Sequence, residues 1–235
     1  MKSAASSARA IALFGGVFDP IHSGHLAVAR AAVRRFRLDA VHFIPTSRPP
    51  HKTLGTITPF AHRYAMTALA CAGYRRFFPS LAEADASGTG RFFYTIDTVR
   101  RFRRQLAGRP TRLYFITGAD AFLQIRTWKD YQALLDSCNF IVAHRPGFPV
   151  DRLAEVIPAE LLARQRSSAM PLAQKAGRAG AVIALRRTKV HVLQTVSSDV
   201  SSTEIRLRRK QGRSIRGLVP PLVEEYMEKQ ALYCR

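Results

Sequence analysis

The chain has 235 residues, of which 47% are hydrophobic, and its 37 lysines and arginines against 16 acidic residues give a formal net charge of +21. That length and composition suit one globular core, and no apolar run is long enough to span a membrane. Residues 1–9 have no apolar centre, so we expect a short flexible tail and not a secretory signal. Cys71, Cys138 and Cys234 form no C-x-x-C pair, which favours a reducing, cytoplasmic setting.

The excess of arginine has two explanations. A basic protein often binds polyanions, either nucleotides or nucleic acid. However, the clusters at 34–37 and 100–104 lie near the ends of expected helices, where cations interact favourably with the helix dipole. We therefore expect most of these arginines to be ordinary surface residues, with loose, salt-sensitive binding of nucleic acid and no specific nucleic-acid partner.

The chain begins with a strand, a helix and a second strand. An apolar run at 10–14 predicts a buried strand, an alanine-rich run predicts a helix over 23–36, and 39–44 predicts the next strand. A strand, a crossover helix and a strand at this spacing form a βαβ unit, which implies a parallel sheet.

The remaining elements continue this alternation. Helices are expected at 60–71 and from Thr95 to about 106, and strands at 77–84, 112–117, 182–185 and 190–193, with a further strand and its exit over 139–147. An amphipathic helix over 217–233 closes the chain, whereas 149–180 is assigned no function and is treated as an insertion or helical segment. The sequence thus predicts an α/β fold, a Rossmann-like doubly wound parallel sheet in a single domain over 10–235, with a C-terminal helical segment.

The motif that carries most of the functional information follows the first strand. Gly15 and Gly16 allow a tight turn, and His22 and His25 stand at the start of the next helix. A helix N-terminus presents free N–H groups and the positive end of the dipole, which suits a phosphate. The spacing fits neither G-x-x-x-x-G-K-[ST] nor G-x-G-x-x-G. From the residues alone, an ordinary strand-to-helix turn with two surface histidines is an equal alternative.

The pattern G-G-x-F-D-P-x-H-x-G-H at 15–25 resembles the H-x-G-H signature of the nucleotidyltransferase superfamily, and most of all its branch that adenylates nicotinate mononucleotide. That branch also shows the Pro-Pro-His-Lys run at 49–52, the Tyr-Thr-x-x-Thr segment at 94–98, the Arg-Pro-Gly at 145–147 and the Ser-Ser-Thr-x-Ile-Arg at 201–206. The resemblance covers nearly the whole chain except the tail and 149–180, and it implies a nucleotidyltransferase-type fold.

The resemblance also implies where ATP binds. His22 and His25 are its catalytic residues, and the 201–206 motif grips the ATP phosphates. The residues alone offer a simpler interpretation of that motif, because Ser201 and Glu204 form a capping box that starts a helix. Asp120 follows a strand at the expected ligand edge of the sheet, where it bonds ribose hydroxyls or only caps a short helix. The ATP site expected in this way comprises Gly15, Gly16, Phe18, His22, His25, Gly118, Asp120, Ser201, Ser202, Thr203 and Arg206.

A second set of residues is assigned to the mononucleotide. Thr95 and the following backbone amides hold the nicotinate carboxylate in the resembling family, although Thr95 also fits a simple N-cap. Trp128 stacks on the pyridine ring there, and Arg63 is either a phosphate contact or a solvated helix arginine. The expected substrate site comprises Lys52, Arg63, Thr95, Ile96, Trp128 and Lys129.

These assignments predict adenylyl transfer from ATP to nicotinate mononucleotide, with Mg²⁺ arriving with ATP and no protein-held metal. A sister enzyme acting on nicotinamide mononucleotide or phosphopantetheine is the second interpretation, and a basic nucleic-acid-binding module without catalysis is the third. The sequence is compatible with a homo-oligomer.

Overall fold

In the computed structural model, the described residues are 8–48, 57–85, 92–144, 147–163, 180–194 and 200–234. The strands are Arg9–Gly16 (β1), Ala40–Pro45 (β2), Phe77–Pro79 (β3), Thr111–Gly118 (β4), Asn139–His144 (β5), Val182–Ala184 (β6) and Lys189–Gln194 (β7). They form one seven-stranded sheet in the order β3-β2-β1-β4-β5-β7-β6. Neighbouring strands run parallel, except that β6 is antiparallel to β7.

The helices cover both faces of this sheet. They are Ser23–Phe36 (α1), Phe60–Cys71 (α2), Thr95–Gln105 (α3), Ala119–Leu123 (α4), Tyr131–Ser137 (α5), Arg152–Glu155 (α6), Ser202–Lys210 (α7) and Pro221–Lys229 (α8). One buried cluster lies under α3 to α6 and the other under α1, α2, α7 and α8. Since each sheet face packs against helices, the doubly wound fold predicted from the sequence is confirmed.

The strand order decides where a ligand can bind. The chain passes from β1 outward through β2 and β3, and then crosses to the other side of β1 as β4. Helices therefore leave the carboxyl ends of β1 and β4 toward opposite faces, which opens a crevice between them. The glycine turn after β1 and Gly118 at the end of β4 both lie at this edge.

Three predicted boundaries were wrong. β1 begins at Arg9, not after the expected tail. The third strand ends at Pro79, not at residue 84, because the chain turns over 81–84, where the Ala84 N–H donates to Leu81 O at 3.0 Å. The last helix is Pro221–Lys229 and so is shorter than the predicted 217–233.

Part of the segment without an assigned function belongs to the core. Leu153, Ile157 and Leu161 are buried in the cluster on the α3 to α6 face. The segment over 149–163 therefore covers this face of the sheet, while 164–179 lies outside the described residues.

Candidate active site

Two adjoining cavities fill the crevice at the carboxyl edge of the sheet. The first has a volume of about 310 Å³ and the second about 500 Å³. Gly15, Thr117 and Ala121 line both of them. A Cβ atom on Gly15 would lie 3.0 Å from the Phe115 ring, so the absence of a side chain lets the backbone pass between the cavities. The crevice can therefore hold two ligands that meet along a shared wall.

His22 and His25 stand together at the start of α1, on the wall of the second cavity. Their rings are tilted to each other by 32°, with centroids 3.7 Å apart. The His22 N–H donates to His25 Nδ1 at 3.2 Å. Nδ1 of His25 is therefore the acceptor nitrogen, and in the neutral ring Nε2 carries the proton. Burial and the neighbouring His22 hold the pKa of His25 well below its ordinary value, which favours this neutral donor form at neutral pH.

Phe18 supports this pair from behind. Its side chain is buried in the core and meets the His25 ring edge-on, with centroids 5.0 Å apart. Because the ring is covered by protein, only the Phe18 backbone can contact ATP, and its assignment to the ATP site stays a prediction. The ring itself fixes the orientation of His25.

The C-terminal motif lies against the loop that carries the histidines. Ser202 Oγ donates to Pro20 O at 2.9 Å, and Arg206 Nη1 donates to Asp19 O at 2.7 Å. The Tyr233 hydroxyl donates to Asp19 Oδ1 at 2.5 Å. Residues nearly two hundred positions apart are thus joined beside the histidines. In this arrangement Ser202 and Arg206 hold the loop, which is a different task from the direct phosphate contact expected of them.

The start of α7 itself is only partly the predicted capping box. The Glu204 N–H donates to Ser201 Oγ at 3.1 Å, as expected of an N-cap. The Glu204 carboxylate does not return this bond, because Arg208 Nε donates to it at 2.6 Å. Thr203 Oγ1 accepts a long bond of 3.4 Å from Arg206. The first N–H groups of α7 have no acceptor within the helix.

The opposite wall of the second cavity follows β4. Gly118 and Asp120 line it, together with His144 at the end of β5 and Phe148 after that strand. Gly118 is the N-cap of α4, so Asp120 does not cap that helix. Its carboxylate is exposed in the first turn of α4, which leaves it able to accept hydrogen bonds from a ligand.

The first cavity adjoins the N-terminus of α3. Thr95 lines this cavity but is the first helical residue, and Tyr94 is the N-cap, so the predicted capping role of Thr95 was wrong. The first donor inside the helix is the Asp97 N–H, which bonds to Tyr94 O at 3.0 Å. The N–H groups of Thr95 and Ile96 therefore precede the intrahelical bonds and suit an anion. The Ile96 side chain is buried in the core, so only its backbone can contact a ligand.

Trp128 and Lys129 form another wall of the first cavity. The Trp128 ring meets Phe115 edge-on, with centroids 6.1 Å apart. Lys129 Nζ lies 3.1 Å from an Asp97 oxygen and 4.6 Å from the centroid of the Tyr94 ring. An aromatic plate, a cation and a helix N-terminus thus surround this space, and Gly16 lines it as well, on the opposite side from the ATP site expected for that glycine.

Comparison with known proteins places this geometry in a family. The family model described as cytidylyltransferase-like matches residues 13–208. A Moorella thermoacetica protein named "Probable nicotinate-nucleotide adenylyltransferase" is 42% identical over 223 residues, covering 95% of this chain and 91% of its own. A protein of the same name from Pelobacter propionicus is 40% identical and 97% covered. The chain belongs to the nicotinate-nucleotide adenylyltransferase family.

A solved structure agrees with this fold. The Plasmodium falciparum nicotinic acid mononucleotide adenylyltransferase complexed with NaAD matches with a TM-score of 0.70 at 18% identity, covering 96% of this chain and 97% of that one. At that identity the match concerns the fold alone. This member of the nicotinate-nucleotide adenylyltransferase family is therefore a nucleotidyltransferase with a Rossmann-like fold.

In this adenylyltransferase, Arg63 is neither a solvated helix arginine nor a phosphate contact, the two roles that the sequence suggested. Its side chain is 1% exposed, so it is not a solvated helix arginine, and burial lowers its pKa. The guanidinium donates to four backbone carbonyl oxygens: Thr58 at 2.7 Å, Val17 at 2.8 Å, Thr46 at 2.8 Å and Ser47 at 3.1 Å. Its donors are directed at the protein, so Arg63 acts by positioning the loops and not by contacting phosphate. Lys52 lies outside the described residues.

Glu83 is a site residue that the sequence did not indicate. It is 5% exposed and lines the first cavity. Its Oε1 accepts a hydrogen bond from Thr98 Oγ1 at 2.7 Å, which ties the preceding loop to the first turns of α3. Burial raises the pKa of this carboxyl, against the opposing hydrogen bonds from Thr98 and Thr46. An acidic residue followed by the turn cluster at 87–90 is the signal that was available.

We expect Glu83→Ala to lower the free energy of unfolding by about 1–3 kcal/mol, because it removes the buried acceptor of the Thr98 hydroxyl. Glu83→Gln keeps an acceptor oxygen and should cost less than about 1 kcal/mol. Burial raises the folded-state pKa, so wild type loses stability as the pH rises above the unfolded value near 4.5. Urea unfolding from pH 5 to 8 should show that loss in wild type and a smaller one in Glu83→Gln. Equal free energies of unfolding for the alanine and glutamine variants would show that the hydrogen bond between Thr98 and Glu83 does not stabilise the fold.

The side chains and helices that the structure describes offer neither a metal-binding cluster nor a membrane-spanning helix. Within the described ranges, no group of three or more histidine, cysteine or acidic side chains is placed to hold a metal ion. None of the helices in the same part of the chain is both long and apolar enough to cross a bilayer. Cys71, Cys138 and Cys234 are free thiols.

Proposed function

We propose that this enzyme transfers the adenylyl group of ATP to nicotinate mononucleotide, forming deamido-NAD and pyrophosphate in NAD biosynthesis. The observation that carries this proposal is the pair of cavities that meet along Gly15, Thr117 and Ala121. One cavity accommodates ATP beside His22 and His25. The other accommodates the mononucleotide beside the N-terminus of α3, so the two reacting phosphates would meet at the shared wall.

The reaction needs no protein nucleophile. A phosphate oxygen of the mononucleotide attacks the α-phosphorus of ATP, a new P–O bond forms, and the bond from that phosphorus to the bridging oxygen breaks as pyrophosphate leaves. Charge grows on the transferred and leaving groups, and catalysis rests on positioning and on fixed donors. His25, held neutral with its proton on Nε2, donates to this charge. His22 stands beside it as the second catalytic histidine, and the N-terminus of α7 adds positive potential.

The mononucleotide would be recognised by complementary groups in the first cavity. The N–H groups of Thr95 and Ile96 would bind the nicotinate carboxylate, since a helix N-terminus favours an anion. Trp128 would pack against the pyridine ring, and Lys129 would add a positive charge nearby. Asp120, on the ATP side, would accept from ribose hydroxyls. Lys52 is kept as a substrate-binding residue, and the Pro-Pro-His-Lys motif at 49–52 is its sole support.

A divalent metal, Mg²⁺ in this proposal, would travel with ATP. The described side chains do not form a three-ligand site, so the phosphate oxygens of ATP and water would supply its ligands. Such an ion neutralises part of the polyphosphate charge. We also propose a cytoplasmic setting, supported by the three free thiols, a single domain over 10–235, and no specific nucleic-acid partner; a homo-oligomer is compatible with this.

Pyrophosphate release from ATP tests the proposal. The enzyme is assayed with nicotinate mononucleotide, nicotinamide mononucleotide and phosphopantetheine in parallel, and the product is identified by mass. Release mainly with nicotinate mononucleotide, together with deamido-NAD formation, is the expected result. Release with only one of the other acceptors would assign a sister activity, and release with none would overturn the enzymatic proposal.

A further inference from the structure

A third cavity lies at the opposite, amino edge of the sheet. It has a volume of about 480 Å³, and the start of β4, the start of β5 and the turn between β6 and β7 form its floor. β4 has eight residues, so this cavity lies roughly 23 Å from the carboxyl edge. It is therefore separate from the crevice assigned to catalysis.

The rim of this cavity is positively charged. Four arginines line it: Arg103, Arg109, Arg112 and Arg187. None of the four forms an ion pair with any residue that the structure describes. Toward the described residues, Arg103 donates a long bond of 3.3 Å, to Ser137 O.

The acidic group in the lining offsets little of that charge, because an arginine outside the lining binds it, although Arg187 also attracts it electrostatically. Asp136 is bound by Arg186, whose Nε lies 3.1 Å from both carboxylate oxygens. This pair neutralises itself. The four rim arginines therefore leave the cavity with an uncompensated positive potential.

The floor of the cavity is polar and already fixed within the fold. Thr111 Oγ1 donates to Arg109 O at 3.0 Å, and Asn139 Oδ1 accepts from the Lys189 N–H at 3.0 Å. Thr188 Oγ1 donates to Leu135 O. Because the polar groups of the floor already form hydrogen bonds within the protein, the guanidinium groups of the rim would bind the ligand. A polar floor also lets an anion keep part of its hydration shell.

A comparison within the same molecule shows why arginine number alone is insufficient. A cavity of about 320 Å³ beside α1 is also lined by four arginines, Arg30, Arg34, Arg75 and Arg76. Its other walls are mainly apolar, with Val33, Tyr74 and Phe77. An anion there would lose water against apolar surface, which disfavours binding.

We propose that the cavity at the amino edge binds a linear polyphosphate chain, free or as part of a nucleoside triphosphate, outside the catalytic crevice. A guanidinium pairs with phosphate oxygens through two parallel hydrogen bonds and stays charged. Four such groups around one cavity of this volume suit several linked phosphates better than a single one.

The test is calorimetric titration of the full-length enzyme with inorganic tripolyphosphate, a non-hydrolysable methylene analogue of ATP, and AMP. Excess deamido-NAD is present in one arm to fill the catalytic crevice. The cavity variant is R109Q/R112Q/R187Q, and its matched control is R30Q/R34Q/R75Q, which removes the same charge from the apolar cavity. We expect tripolyphosphate binding to weaken by on the order of tenfold or more in the cavity variant and to stay within about twofold in the control.

Each remaining outcome either distinguishes a free polyphosphate from a nucleoside triphosphate as the ligand or overturns the proposal. Similar binding of tripolyphosphate and the ATP analogue would assign recognition to the phosphates, and preference for the analogue would assign it to a nucleotide; both support the site. Equal weakening in the two variants would reduce the effect to net charge. No effect in the cavity variant, or AMP binding as tightly as tripolyphosphate, would each overturn it. Pyrophosphate release is measured separately, so failure of this site does not affect the proposed activity.

Discussion

His25→Ala should lower the turnover number by on the order of a hundredfold or more at saturating ATP. The structure explains the size of this effect, because His25 Nδ1 accepts from the His22 N–H at 3.2 Å and leaves Nε2 as a fixed donor on the cavity wall. His22→Ala should lose a comparable factor, since it removes the ring whose centroid lies 3.7 Å from that of His25. Steady-state pyrophosphate release with both substrates saturating measures both.

Two further variants separate the role of a donor from that of a base. His25→Gln places an amide N–H near the position of Nε2 and should recover part of the lost turnover, whereas a proton-transferring histidine would not be rescued by an amide. His62→Ala is the matched control, because His62 bonds to Tyr226 at 2.9 Å and lines neither cavity of the crevice. Near-wild-type turnover in His25→Ala would contradict the assignment.

Arg63→Lys should lower the free energy of unfolding by about 3 kcal/mol or more. One ammonium group cannot replace a planar guanidinium that donates to four carbonyl oxygens in three separate stretches of chain. Two of those carbonyls belong to Val17 and Thr46, which line the first cavity. We therefore expect the KM for the mononucleotide to rise more than that for ATP. Urea unfolding and kinetics below the unfolding transition measure the two effects.

Arg75→Lys is the control for this substitution, because Arg75 is exposed on the loop after α2. It should change neither stability nor KM beyond experimental error. If Arg63→Lys were as stable as this control, the carbonyl network would not hold the loops. If it were unstable but kept an unchanged KM ratio, Arg63 would support the core and not the substrate cavity.

The elements that position the site could be predicted from short-range patterns. The apolar run before Gly15, the helix after His25 and the strand before Gly118 each carry a local signal. Their order along the chain implies a parallel sheet, and a parallel sheet brings strand ends to one edge. The placement of His22, His25 and Asp120 around one crevice followed from these local features.

The roles of several site residues depended on contacts that no local pattern carries. Arg63 occupies an exposed-looking position on a helix, and only the loops after β1 and β2 make it buried. Glu83 fell inside a strand predicted to continue past Pro79, so its turn toward α3 was hidden. Phe18 follows two glycines and a valine in a turn, yet its ring packs under His25. Burial of this kind arises from tertiary packing, which residue type and spacing do not determine.

The most direct test of the central claim is a crystal structure of this enzyme with deamido-NAD bound. The account predicts the nicotinate ring beside Trp128, with its carboxylate at the N–H groups of Thr95 and Ile96. It predicts the bridging phosphates next to His25 and the adenosine ribose at Asp120. A dinucleotide bound outside the crevice at the carboxyl edge, or bound within it with its phosphates away from both histidines, would contradict the account.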